Sequence, residues 1–145
     1  MCLLIVLRGF DASHPLLVAA NRDERRDRRA APPGLFVGER RRMLSPRDRE
    51  AGGTWLAIDD GGRFAGITNL AGVSAVPGAP SRGHLPHAAL DAADLDAGLA
   101  TVRERITRER HAGFQLVLAD HERIVVLRHH DGVVQTFDWN EPVLI

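Results

Sequence analysis

Apolar positions along the chain fall into short runs divided by turn formers, with one stretch of helical periodicity between two groups of extended segments. Cys2, Leu3, Leu4, Ile5, Val6 and Leu7 form an unbroken apolar run bounded by Arg8-Gly9, the pattern of a strand covered on both faces. Asp11-Ala12-Ser13-His14-Pro15 supplies turn formers before a second run, Leu16 to Ala20. Two runs this close pair most simply as an antiparallel hairpin. Such a hairpin returns Asn21, Arg22 and Asp23 to the neighbourhood of Cys2.

Between Arg22 and Arg49 there are ten arginines against five acids, with Pro32-Pro33-Gly34 in the middle. This reads as a long solvated loop with short extended pieces at Leu35-Phe36-Val37 and Met43-Leu44, or as a basic rim that recruits an acidic substrate or partner. Thr54 to Ile58 alternates, Asp59-Asp60-Gly61-Gly62 is a turn signal, and Arg63 to Leu70 is apolar-rich, which together predict a second hairpin. Gly52-Gly53 at its entry permits a close approach that a side chain would block. Asn69, at the end of the returning strand, is either an oxyanion donor held on a rigid strand or a turn-capping residue before Gly72.

Ala71 to Arg82 is a loop rich in Gly, Pro and Ser that would flank a pocket, with Ser81-Arg82-Gly83 at its hinge. Leu85 to Ala92 predicts a short helix with Pro86 in its first turn. Asp94 would cap a second helix running to about Arg110, ended by His111-Ala112-Gly113. Leu95, Leu99, Val102 and Ile106 recur at helical spacing. Phe114 to Ala119, Ile124 to Arg128 and Val133 to Phe137 then predict three strands in a meander. The expected class is α+β, antiparallel strands at both ends of the chain with a helical pair between them.

At 145 residues this is the size of one domain, residues 1–145, able to bury a core. Basic and acidic residues balance at 19 each, so no global field attracts nucleic acid or an anionic membrane. Only Phe36 interleaves the arginines, too little for stacking on bases. Every basic residue is Arg and there is neither Lys nor Tyr, a composition that points to a GC-rich, bacterial genome. One cysteine excludes an internal disulfide framework and fits a reducing cytoplasm. The first apolar run lacks a preceding basic region and is too short for a signal or a membrane span. The seven histidines mostly fall at turns or helix ends, and only His84 and His87 share an i, i+3 spacing. That spacing, interrupted by Pro86, argues against a dedicated metal site.

The candidate chemistry lies at the two ends of the stretch Met1 to Glu24. Cys2 is either a small buried hydrophobe at a strand end or, if Met1 is removed, a residue holding a thiol and a free α-amine together. A thiol has a pKa of about 8.5 and an α-amine about 7.7 to 8.0, so near neutral pH the amine can accept the thiol proton. Arg22 would then hold down the thiol pKa or bind a carboxylate, Asp23 would orient the amine, and Asn21 would donate to a carbonyl oxygen.

Met1-Cys2 opening a strand, followed by Ala19-Ala20-Asn21-Arg22-Asp23-Glu24, resembles the NRDE family, also called the transport and Golgi organisation protein 2 family. Gly52-Gly53-Thr54-Trp55-Leu56, Ile67-Thr68-Asn69, Ser81-Arg82-Gly83 and Gly113-Phe114-Gln115-Leu116 follow in the family's order, with Gln115 in place of Asn. The resemblance implies an N-terminal-nucleophile fold, two stacked antiparallel sheets between helical layers, in which the residue after Met1 is the nucleophile. Two departures stand out. Family members are longer, and a later Gly-Leu-Ser-Asn-like segment has no counterpart before Ile145, so the chain is expected to lack the family's C-terminal part. Related cysteine amide hydrolases also space their Arg and Asp differently from the adjacent Arg22 and Asp23.

The implied activity is hydrolysis of an amide or related acyl bond in a small molecule, without a cofactor or metal. Cys2, Asn21, Arg22, Asp23 and Asn69 are its catalytic candidates, and Glu24, Trp55, Ser81 and Arg82 its substrate contacts. The alternative is a non-catalytic binding or trafficking protein of the same fold, holding a hydrophobic or anionic ligand such as lipid or haem. A third reading is an incomplete domain that needs another chain.

Overall fold

The computed structural model describes residues 2–70, 78–141 and the backbone of 143–144. Strands β1 (Leu3–Arg8) and β2 (Leu16–Asn21) form the predicted hairpin, with Leu3 opposite Asn21 and Arg8 opposite Leu16. The two-residue strand β10 (Val143–Leu144), not foreseen from sequence, pairs with the other edge of β1. A second sheet holds seven strands in sequence order: β3 (Ala30–Val37), β4 (Arg42–Asp48), β5 (Leu56–Asp59), β6 (Phe64–Asn69), β7 (Phe114–Ala119), β8 (Ile124–His130) and β9 (Val133–Trp139). Helices α1 (Leu85–Leu90) and α2 (Leu95–Arg108) lie between β6 and β7 in sequence. Every pairing is antiparallel and both sheets have open edges, so the fold is α+β and mostly antiparallel.

Strand alternation sorts the large sheet into two buried faces. One face presents Met43, Ala57, Ala65, Leu116, Leu118, Val125 and Leu127 to the helical stripe of Leu95, Leu99, Val102 and Ile106 and to Leu85 and Leu90. The other presents Phe64, Val117, Ala119, Ile124 and Val126 to Leu4 and Val6 of β1, with Leu16 and Val18 of β2 alongside. The result is three layers: helices, seven-stranded sheet, three-stranded sheet. Each fully buried Leu or Val contributes roughly 1.5–3 kcal/mol to holding them together. The periodic stripe predicted from sequence is thus the seam of α2, and Asp94 caps that helix by accepting from the Ala97 N–H at 2.8 Å.

Four expectations are corrected. The segment from Arg22 to Arg49 is not one long loop, because Ala30 to Asp48 forms the β3–β4 hairpin. Pro32 and Pro33 are accommodated because β3 is an edge strand with a register shift between Ala31 and Gly34, where prolines need not donate to a ladder. β1 is not covered on both faces among the described residues, since Leu4 and Val6 are buried while Leu3 is 47% exposed. The second helix ends at Arg108 rather than near Arg110, and Gly113 keeps an ordinary backbone instead of forming a left-handed cap. Of the histidines read at turns or helix ends, His129 and His130 instead close β8, and His111 and His129 are buried and flank Phe114.

His87 joins α1 to the β3–β4 hairpin. Its ring stacks on Phe36 with centroids 3.9 Å apart, and its Nε2 lies 2.8 Å from Ser45 Oγ. Burial pushes the imidazole down to about 4, and the neighbouring His84 adds to the effect. As pH falls, the unfolded ring takes its proton near 6.5, whereas the folded ring takes it only near 4. Between those values the unfolded state binds more protons, so folding stability declines as pH falls from 6.5 to 4. Burial lowers the His111 and His129 pKa values in the same sense. Urea midpoints at pH 7, 5.5 and 4.5 should therefore decline steadily, with a shallower decline in His87→Phe. Equal slopes for the two proteins would remove His87 from this account.

Candidate active site

A cleft of about 600 Å³ opens where the start of β1 and the end of β2 meet the end of β6. Segments 51–55 and 79–84 and Ala112 complete its walls. Cys2, Arg22, Asp23, Glu24, Trp55, Asn69, Ser81 and Arg82 all line it. Asn21 does not. It borders instead a small notch beside the cleft, which Cys2 also lines, and its Oδ1 accepts the Leu3 N–H at 2.6 Å. That bond locks the hairpin at the residue next to Cys2.

Cys2 is a half-buried free thiol whose Sγ lies 3.7 Å from the Asp23 carbonyl oxygen. The notch beside the cleft is mostly apolar, about 20 Å³, and its lining includes Cys2, Leu4, Trp55, Leu56 and Ile67 together with Asn21 and Thr68. Asn69 stands exposed at the end of β6, opposite Phe114 in the ladder, so its amide is carried on a central strand. Gly72, against which a turn-capping role was weighed, lies outside the described residues, as does the 71–77 part of the expected loop.

Arg22 is fixed on three sides. Its Nη2 donates to Asp48 Oδ2 at 2.9 Å, Glu24 Oε2 is 3.7 Å away, and its guanidinium sits 4.9 Å from the Trp55 ring centroid. Trp55 is therefore neither pure core nor free platform: it supports the Arg22 cation and forms part of the wall. Arg28 reaches the same acids, Asp48 Oδ2 at 2.8 Å and Glu24 Oε2 at 3.2 Å. Much of the supposed basic rim is internally paired in this way.

Asp48 was missed from sequence, yet it organises this wall. Its Oδ1 accepts from the Glu50 and Ala51 N–H groups at 2.9 and 3.1 Å while Oδ2 takes both guanidinium groups. Burial alone would raise its pKa, but the Ala51 and Glu50 N–H groups and Arg28 outweigh that and hold the carboxyl below its usual range. The available signal was one acid at the end of the alternating segment Arg42 to Asp48, among arginines.

The opposite wall depends on two glycines. A Cβ on Gly53 would collide with the Gly83 backbone, and the Thr54 N–H donates to the Gly83 carbonyl at 2.9 Å. Gly52, with φ of +78°, turns the chain into this contact. The expectation of close approach at Gly52-Gly53 thus has a partner, the Ser81-Arg82-Gly83 segment. Ser81 Oγ accepts the Gly83 N–H at 3.2 Å and starts a single 3-10 turn. Arg82 donates through Nη1 to the Gly113 carbonyl at 2.7 Å. Burial and then the charge of Arg28 push its pKa below the ordinary guanidinium value.

Among the described residues no group of three or more His, Cys, Asp or Glu could hold a metal, and no helix is long and apolar enough to cross a membrane. A family model described as Transport and Golgi organisation 2 matches residues 1–140. The Transport and Golgi organization 2 homolog of Mus musculus is 35% identical over 115 residues, covering 74% of this chain and 40% of its own length. The Transport and Golgi organization protein 2 homolog of Bos taurus is 36% identical over 115 residues with the same coverage. The matched region therefore spans less than half the length of these relatives.

Proposed function

We propose that this chain, which belongs to the Transport and Golgi organisation 2 family over residues 1–140, is an N-terminal cysteine hydrolase of amide or related acyl bonds. The observation that carries the reading is the placement of Cys2: a half-buried thiol at the start of a strand, on a cleft it shares with Arg22, Asp23 and Asn69. The stacking of helices, a seven-stranded sheet and a three-stranded sheet, all strands antiparallel, supports the reading.

With Met1 removed, the Cys2 α-amine takes the thiol proton as sulfur adds to the substrate carbonyl. Asn69 donates to the oxyanion. The C–N bond then breaks, the α-ammonium returns its proton to the leaving amine, and a thioester remains. Water adds to the thioester, the C–S bond breaks, and the acid leaves with the thiol restored. Asp23 orients the amine, and Arg22, held by Asp48, Glu24 and Trp55, fixes the wall of the cleft that Cys2 shares.

A hydrophobic ligand such as lipid or haem has less support, because six charged side chains stand on the cleft wall and the apolar notch beside it is small. A thiol nucleophile suits a reducing compartment such as the cytoplasm. Intact mass before and after iodoacetamide at neutral pH tests the reading. Loss of Met1 with one fast adduct, absent in Cys2→Ala, is expected. Retained Met1, or a Cys2 that stays unlabelled while folded, would overturn it.

A further inference from the structure

Three arginines and three acids, Asp23, Glu24 and Asp48, line the cleft, and two of the arginines are already paired. Arg22 and Arg28 share Asp48 and Glu24. Arg82 has no carboxylate within 4 Å among the described residues, and residues 71–77, Ala-Gly-Val-Ser-Ala-Val-Pro, contain no acid to supply one. It is nonetheless partly buried, with one donor used on the Gly113 carbonyl. A guanidinium has five donors in a planar fork that matches a carboxylate. A desolvated cation without a counter-ion, on the wall of an open cleft, is a receptor for an anion.

The second observation concerns size. The apolar notch beside Cys2, at about 20 Å³, admits little more than a methyl or ethyl group. An acyl group seated in that notch is short, which leaves the larger cleft, with Arg82 on its wall, to an anionic amine side. We infer that the substrate is a short-chain N-acyl amino acid whose carboxylate is seated on Arg82. The inference rests on the hydrolase reading and narrows it: the carboxylate leaves with the amine product when the C–N bond breaks, and the acyl group stays on sulfur.

Binding to the Cys2→Ala variant tests this without turnover. The ligands are N-acetylglycine, N-acetyl-β-alanine and N-acetyl-γ-aminobutyrate, each titrated calorimetrically against its primary carboxamide. At least one acid should bind about 10-fold or more tightly than its amide, as expected for a charge-assisted bidentate pair. The preference should shrink with added salt. Arg82→Gln, which keeps a donor for Gly113 but no charge, should abolish it, while Arg82→Lys retains part. Melting curves report whether the substituted proteins are folded, and the salt dependence in Cys2→Ala needs no second substitution. Equal affinity for acid and amide, no binding of any acid, or a preference that survives in folded Arg82→Gln would overturn the inference. Failure here together with a fast Cys2 adduct leaves a hydrolase of neutral amides. An acid preference with an inert Cys2 supports the anion site and removes the hydrolysis.

Discussion

Asp59→Ala should lose about 3–5 kcal/mol of folding stability, the typical cost of removing one partner of a buried ion pair. The Asp59 side chain is fully buried and that of Arg63 nearly so. Asp59 Oδ2 accepts Arg63 Nε at 2.7 Å, and Oδ1 accepts the Gly61 and Arg63 N–H groups at 2.9 and 2.8 Å. Arg63 Nη2 then donates to the carbonyls of Leu90 and Ala92 at 2.7 and 2.9 Å. One pair therefore shapes the β5–β6 turn and anchors the end of α1 to it. Without Asp59, a buried guanidinium and two backbone donors lose their acceptor. Urea unfolding with a two-state fit measures the change. Asp59→Asn keeps the acceptor for the turn and should lose less. A loss under about 1 kcal/mol in Asp59→Ala would mean that water replaces the carboxylate.

Asp48→Ala should cost about 2–4 kcal/mol, somewhat less because the three side chains of its cluster retain partial solvent contact. Its effect on the cleft should be as informative. Arg22 and Arg28 would face each other with only Glu24 between them, and the Glu50 and Ala51 N–H groups would lose their acceptor. Arg22 then leaves the Trp55 face, which an altered Trp fluorescence and a changed rate of Cys2 alkylation would register. Asp48→Asn separates the two roles, since it can keep the loop bonds through Oδ1 while losing the charge. If Asp48→Asn matched wild type in alkylation rate and stability, the carboxylate would have no part in positioning Arg22.

The first hairpin was legible because two apolar runs joined by turn formers leave one simple pairing. Its register follows from the turn, and that register puts Arg22 and Asp23 beside Cys2. The helical stripe and the β7–β8–β9 meander were legible for a related reason: local periodicity names the apolar face of an element, and hydrophobic burial does the rest. β3 and β4 were not, because an edge strand with two prolines and many exposed positions carries almost no burial pattern. Asp59 was read as a turn residue, which it is, but its fully buried pair with Arg63 depends on where α1 lands.

Local pattern alone therefore set the class, most of the elements, the α2 seam and the nearness of Cys2 to the Asn21-Arg22-Asp23 segment, since each depends on residues close in sequence. The cleft belongs to another level of organisation. Its walls come from segments as far apart in sequence as Cys2 and Ala112, held by Gly53 against Gly83, Arg82 on Gly113 and Asp48 between two arginines. Such contacts leave no periodic trace, because they are fixed by how finished layers pack and by which charges packing leaves without a partner. Arg82 is one of 19 arginines in the sequence; what distinguishes it is that the fold partly buries it on the cleft wall and, among the described residues, brings no acid to meet it.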